Sequence, residues 1–178
     1  MSVSNDHSLL EAFNIEHVVA IVSLIVSILA LGISVAFWRK QFRPIVTASV
    51  KTRAGGNISI AYDLVLLNSG AIPARNLRLR ATAQMLSNAL GKEADDENKS
   101  KWLTCFSPDI KIEVIQNGDQ LRCSFGYTKG KSGGFWRYDS AIEIELLYEG
   151  WFGHNYAEVQ TIRIRDSDSF TDYSWVGK

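Results

Sequence analysis

Residues Val18–Trp38 read VVAIVSLIVSILALGISVAFW, and no charged side chain interrupts them. As a helix, a stretch of this length spans roughly 32 Å, close to the hydrocarbon thickness of a bilayer. Its polar groups are Ser23, Ser27 and Ser34, whose hydroxyls can bond back to a carbonyl one turn earlier and so cost little in lipid. An apolar run this long favours a membrane span over a buried core helix. The flanks argue against a cleaved leader. Asp6, Glu11 and Glu16 stand where a basic n-region belongs, and Arg39, Lys40 and Arg43 follow the run in place of a cleavage signal. The reading is a retained transmembrane helix at 18–38.

Outward from the span, positive charge fixes the expected orientation. Arg39, Lys40 and Arg43 lie on its C-terminal side, and basic flanks stay in the cytoplasm. The expectation is a single-pass protein of the cell inner (plasma) membrane, N-terminus outside and C-terminal domain cytoplasmic. Residues 1–17 form a short acidic tail and helix start. Ser8-Leu9-Leu10-Glu11 reads as a capping box, placing the helix start near Leu9. Trp38 reads as an aromatic-belt residue, and with Arg39, Lys40 and Arg43 it makes the membrane-interface set. Residues 39–44 are a basic juxtamembrane linker ending at Pro44, which disfavours helix at the residue before it.

The chain has 178 residues, with Lys plus Arg and Asp plus Glu equal at 19 each. No field of one sign is available, so nucleic acid is not an expected partner. The lipid bilayer and a protein are. Two cysteines, Cys105 and Cys123, show no ligand spacing, and His154 is the one histidine after the span. No metal and no cofactor is expected. In a reducing compartment both cysteines are expected as free thiols.

From Ile45 the hydrophobic period becomes two. The strand readings are Ile45–Thr52; Ile58–Leu67, with Ile58, Ile60, Tyr62, Leu64 and Leu66 inward; and a run with Leu77, Leu79, Ala81, Ala83 and Met85 inward. Residues 86–101 hold a charged loop, GKEADDENKS, read as mobile or as a short helix plus loop. Ile110, Ile112 and Val114 then alternate. Gln116-Asn117-Gly118-Asp119 reads as a hairpin turn, and Leu121, Cys123, Phe125 and Tyr127 continue inward. Ile142, Ile144, Leu146 and Tyr148 follow, then Tyr156–Arg165. About seven strands with regular turns and no convincing helix predict an antiparallel β-sandwich over 45–165. An acidic-aromatic tail, 166–178, carries Phe170, Tyr173 and Trp175 as candidate partner contacts.

Leu66-Leu67-Asn68-Ser69-Gly70-Ala71-Ile72-Pro73-Ala74-Arg75-Asn76-Leu77 resembles the "N-x-G-x-x-P-A-x-N" strand–turn–strand signature of immunoglobulin-like domains in bacterial membrane-anchored proteins, a family mostly of unassigned function. The resemblance runs from Ile45 to about Arg165 and implies an immunoglobulin-like sandwich. Cys105 and Cys123 do not fall on the second and sixth strands, so the immunoglobulin inter-sheet disulfide has no counterpart.

Catalytic motifs dissolve on inspection. Gly130-Lys131-Ser132-Gly133-Gly134 matches G-x-S-x-G, yet it joins two strands with no helix after it, and it is one residue out of P-loop register. Glu143 and Glu145 read as a solvated strand face. Arg78 and Arg80, possible partners of Arg163 and Arg165, are the anion-binding candidates. The sequons at Asn57 and Asn98 are silent in a cytoplasmic domain. The expected function is therefore a non-enzymatic, membrane-anchored interaction module, part of a homo- or hetero-oligomeric membrane assembly. The alternative is a ligand-gated effector or sensor binding a small anionic, nucleotide-like signal. A hydrolase ranks last.

Ala20, Ser23, Ser27, Ala30 and Ser34 recur at three- and four-residue steps and share one helix face, the candidate helix–helix interface. Small side chains let two helices approach closely, and an interhelical serine bond is worth about 0.6 kcal/mol. Replacing Ser27 and Ala30 with Leu is expected to weaken self-association in a membrane reporter assay. The same change at Ile25 and Leu29 is expected to leave it intact; equal effects would remove the interface.

Overall fold

The computed structural model describes residues 4–166. The candidate contacts Phe170, Tyr173 and Trp175 lie outside the described residues. The chain divides into two compact units, residues 1–42 and 43–178. The first is one helix, α1, Ser4–Gln41. It begins at Ser4 and runs through Ser8 without a break, so the expected start near Leu9 is corrected. Once a long helix is nucleated, each added residue extends it cheaply. Within α1, His17–Gln41 is long and apolar enough to cross a membrane, by measures that a signal sequence also meets. Ser27 Oγ donates to Ser23 O at 2.8 Å, the back-bond expected of a serine in an apolar helix. Arg39 and Lys40 occupy the last turn, where cations suit the helix dipole.

The second unit holds eight strands: β1 Val46–Gly55, β2 Ile60–Asn68, β3 Ala74–Ala81, β4 Ile112–Ile115, β5 Gln120–Lys129, β6 Gly133–Gly134, β7 Ser140–Glu149 and β8 Asn155–Ile164. They form two antiparallel four-stranded sheets, β1-β2-β5-β6 and β4-β3-β7-β8, consistent with a β-sandwich. The two sheets share one core. Tyr62, Leu64 and Leu66 from one, and Leu77, Leu79, Ile142, Ile144, Leu146 and Tyr148 from the other, are all buried. The inward alternation expected of β7 is present at every position.

Elsewhere the period-two reading overreached. Ala83 and Met85 are not strand residues; they lie in α2, Ala83–Ala89. Thr82 ends β3 by accepting the Met85 N–H at 3.3 Å as an N-cap. The charged segment contains α3, Asp96–Trp102, capped by Asp95, whose carboxylate accepts the Asn98 N–H at 2.7 Å. The domain therefore does contain helix. Its loop is fastened by backbone bonds: Gly91 N to Phe135 O at 2.7 Å and Arg137 N to Ala89 O at 2.8 Å. Ile58, Ile110, Val114, Leu121 and Cys123, all expected to be buried, are exposed. On β4 the buried residue is Ile115, so the strand's inward face is out of step with the Ile110–Ile112–Val114 reading.

At one end of the sheets an aromatic cluster closes the core. Phe125 stacks on Trp136 at 4.8 Å, Phe135 meets Trp136 edge-on, and the Trp136 indole N–H donates to the Phe125 carbonyl. Gly126, at φ 81°, lets β5 turn there; a Cβ would sit 2.8 Å from the Phe135 ring. At the opposite end stands Asn68, fully buried. Its carboxamide donates to Ile72 O at 2.8 Å and Ile115 O at 3.1 Å, and accepts from Ile45 N at 3.2 Å and Gly70 N at 3.0 Å. Its backbone holds the 116–119 turn through Gly118 N to Asn68 O (2.8 Å) and Asn68 N to Asp119 O (3.1 Å).

That grip corrects the hairpin reading. The Asn117-Gly118 turn is real, but β4 pairs with β3 and β5 with β2, so the turn passes from one sheet to the other. Gly70 completes the junction: a Cβ there would lie 2.4 Å from Arg43 O and from Ile45 N. Asn68→Leu strands the buried Gly70 N–H and the buried Ile72 and Ile115 carbonyls, each costing about 1–3 kcal/mol, and frees the part-buried Ile45 N–H. We expect a loss of at least 3 kcal/mol in urea unfolding. Asn117→Ala, on the exposed turn, should stay within about 0.5 kcal/mol.

Candidate functional site

Because β4 and β5 leave the 116–119 turn in different sheets, the sandwich is open between them. The opening is an apolar crevice of about 340 Å³. Leu64 and Leu66 of β2 with Leu121 and Cys123 of β5 form one wall; Leu77 and Leu79 of β3 with Ile112 of β4 form the other. Trp102, Thr104 and Cys105, from the end of α3 and the 3₁₀ turn after it, line it from the α3 side. Leu121 and Cys123 thus keep the parity read from the sequence. They are exposed where they line this crevice, and Leu121 remains 41 % accessible.

Three polar features stand in this apolar setting. The Trp102 indole Nε1–H is buried without a hydrogen-bond partner, an uncommon state for a donor that costs free energy until an acceptor arrives. Cys105 and Cys123 both line the crevice, and the Cys105 thiol donates to the Trp102 carbonyl at 3.9 Å. The neighbouring Cys123 thiol, with burial, holds the Cys105 thiol well above the usual range. The neighbouring Cys105 thiol holds Cys123 below it, against burial and the Asp63 carboxylate. Finally, β5 is paired on its outer side only at Thr128 and Lys129, through β6, among the described residues. Residues 121–124 of β5 border the crevice.

The other candidates are dispersed. Arg78 lies in a shallow polar depression of about 450 Å³ with Lys111, Asn76 and Glu149. Arg80 does not line it; on β3 it sits opposite Glu145 of β7. Arg163 is on β8, two strands from β3, 3.9 Å from Asp139. The arginines therefore form no single stripe, because β7 with its glutamates runs between them. Arg43 stands 3.5 Å from Glu158. Gly130–Gly134 spans the β5–β6 turn, and His154 lies in the β7–β8 turn against Tyr156. Among the described residues no group of three His, Cys, Asp or Glu is placed to hold a metal.

Sequence reasoning missed Trp102 and the placement of both cysteines on one crevice. The one local signal was the return to apolar residues at Trp102–Phe106 directly after the charged segment, which marks where that segment comes back to the core. In the native protein an aqueous maleimide is expected to label Cys123 faster than Cys105, and to keep labelling it at pH values where an ordinary thiol has slowed. Equal labelling rates would contradict the exposure and hydrogen bonding given above.

Neither a curated protein nor a solved structure matches the chain. One family does, over residues 11–168, taking in most of α1 and all eight strands. On that match the chain belongs to the family described as "Domain of unknown function (DUF8453)".

Proposed function

We propose that this protein is a non-enzymatic, membrane-anchored interaction module whose recognition site is the crevice between the sheets. In this reading α1 spans the inner membrane once, N-terminus outside, and self-associates within an oligomeric assembly. The β-domain is an immunoglobulin-like sandwich at the cytoplasmic face. Strand order supports the fold assignment: β4-β3-β7-β8 matches C′-C-F-G, and β1-β2-β5 matches A-B-E. The B and F positions carry Leu64, Leu66, Ile144 and Leu146 where an antibody domain has its disulfide.

The crevice is the observation that carries the proposal. Its occupant is an extended apolar segment of a partner protein. Such a segment adds to a free strand edge through its backbone and buries alternate side chains, the strand-addition mode of peptide recognition. The Leu121–Ser124 edge of β5 and the crevice beside it supply both halves of that mode. A backbone carbonyl of the incoming strand would satisfy the Trp102 Nε1–H.

The second reading, a sensor for a small anionic signal, is favoured by the pairing of Arg78 with Lys111 in one depression. One set of measurements on full-length protein in nanodiscs separates the two. Panning a random peptide library is expected to return alternating apolar sequences. Leu121→Arg, at a half-exposed position, should weaken the selected peptides about tenfold, or 1.4 kcal/mol; Arg78→Ala should not. A thermal shift with a nucleoside phosphate that Arg78→Ala abolishes, with no peptide selected, would replace the module by the sensor. A reporter fused at Lys178 that works only outside the cytoplasm would reverse the orientation.

A further inference from the structure

We propose that the β7–β8 turn is a membrane contact of the β-domain: the Trp151 indole seats in the lipid headgroup layer from which α1 emerges. This rests on the reading that α1 spans a bilayer, and on neither the crevice nor the orientation. The starting point is how the chain enters the β-domain. Pro44 is buried. The Arg43 carbonyl accepts the Ala71 N–H at 3.2 Å, and the Ile45 carbonyl accepts the Ser69 N–H at 2.9 Å. From the other side the Tyr148 hydroxyl donates to the Pro44 carbonyl at 3.4 Å. Residues 43–45 are therefore clamped into the domain and form no stalk. The helix ends at Gln41, so three residues separate it from Pro44 and reach at most about 11 Å.

The β7–β8 turn stands directly beside that entry point. A Cβ on Gly150 would lie 3.1 Å from the Pro44 ring, and Trp151 is the next residue. Whatever the angle between helix and domain, the short tether keeps this turn within reach of the bilayer surface, whose headgroup layer is about 5–8 Å thick on each side. The turn is built to hold an aromatic ring there. Gly150 N donates to His154 O at 2.9 Å and His154 N to Trp151 O at 3.1 Å, which closes the backbone of the 3₁₀ turn Trp151–Gly153. The His154 ring meets Tyr156 edge-on at 4.9 Å, and Tyr156 stacks on Tyr148 at 5.4 Å, so the base of the turn is packed. Trp151 itself is 47 % accessible.

Tryptophan suits this place because its ring is apolar and its N–H is polar, and such side chains concentrate at membrane–water interfaces. The nearby carboxylates do not oppose the contact with free charge. Asn76 Nδ2 donates to Glu149 at 2.6 Å, and Arg43 stands 3.5 Å from Glu158. The far end of the domain supplies an internal control. The 56–59 turn joins β1 to β2 at the end away from Val46, about 30 Å along the strand. It carries Ile58 at 73 % accessibility, more exposed than Trp151.

The test uses full-length protein in phosphatidylcholine nanodiscs that contain a phospholipid with a photoactivatable diazirine on its headgroup. Crosslinked peptides are mapped by mass spectrometry. Label is expected at the end of α1 and on 149–155, with none on 56–59. Trp151→Ser should lower labelling of 149–155 to the level of 56–59 and leave α1 labelled; Trp151→Phe should retain most of it. Label on α1 with none on 149–155 would overturn the contact and leave the span standing. Equal label on 149–155 and 56–59 would also overturn it, since exposure alone would then direct the reagent. Absence of label from α1 would remove the span, and the contact with it. The wild-type map decides the matter even if a variant fails to fold.

Discussion

A single carboxamide organises one end of the β-domain. Asn68 is fully buried, and both its donors and both its acceptor sites are used, by Ile72 O, Ile115 O, Ile45 N and Gly70 N. Those partners belong to the lead-in to β1, the β2–β3 connection and the end of β4. Two connections change sheet at this point, and an unpaired backbone group there would lie out of water's reach. A side chain with two donors and two acceptors in one plane meets that demand. Gly70 is the steric half of the same device, because backbone from 43–45 crosses where its Cβ would be.

The crevice follows from this junction. An Asn-Gly turn ordinarily folds a strand back on its neighbour. Here the backbone of Asn68 takes the turn's Gly118 N–H and Asp119 C=O, so β5 starts beside β2 and β4 stays with β3. Sheets that diverge from a pinned corner expose the residues of their inner faces. The 82–111 segment lies over that region, held by its bonds to the Phe135–Arg137 backbone and by the Tyr127 hydroxyl, which donates to Glu93 at 2.6 Å. It brings Trp102 and Cys105 to the crevice, and among the described residues the outer edge of β5 has no strand partner before Thr128.

The surface charges tell a different story from the crevice. Their signs are interleaved across the β3-β7-β8 face: Arg80 opposite Glu145, Arg163 near Asp139, Arg43 near Glu158. Exposed pairs of this kind contribute little to stability, and they cancel the field that these three arginines would otherwise make. Recognition by shape and apolar contact, concentrated where the sheets part, fits such a neutral exterior better than long-range attraction does.

The amino-acid sequence by itself determined the membrane-length helix, because an uninterrupted apolar run is a property of composition and length. It determined the all-β core too, where inward residues alternate against a continuous partner sheet: Ile142, Ile144, Leu146 and Tyr148 are legible since nothing but period two is needed to bury them. Only the tertiary structure decided the rest. Thr82 became a helix cap because its hydroxyl found the Met85 N–H, which ended a strand whose alternation would have continued. Leu121 and Cys123 kept their parity but lost their cover, because burial needs a facing layer and Asn68 had turned that layer away. That Cys105 and Cys123 line one crevice has no local signal either; it depends on where an eighteen-residue detour through β4 and a sheet-changing turn returns the chain.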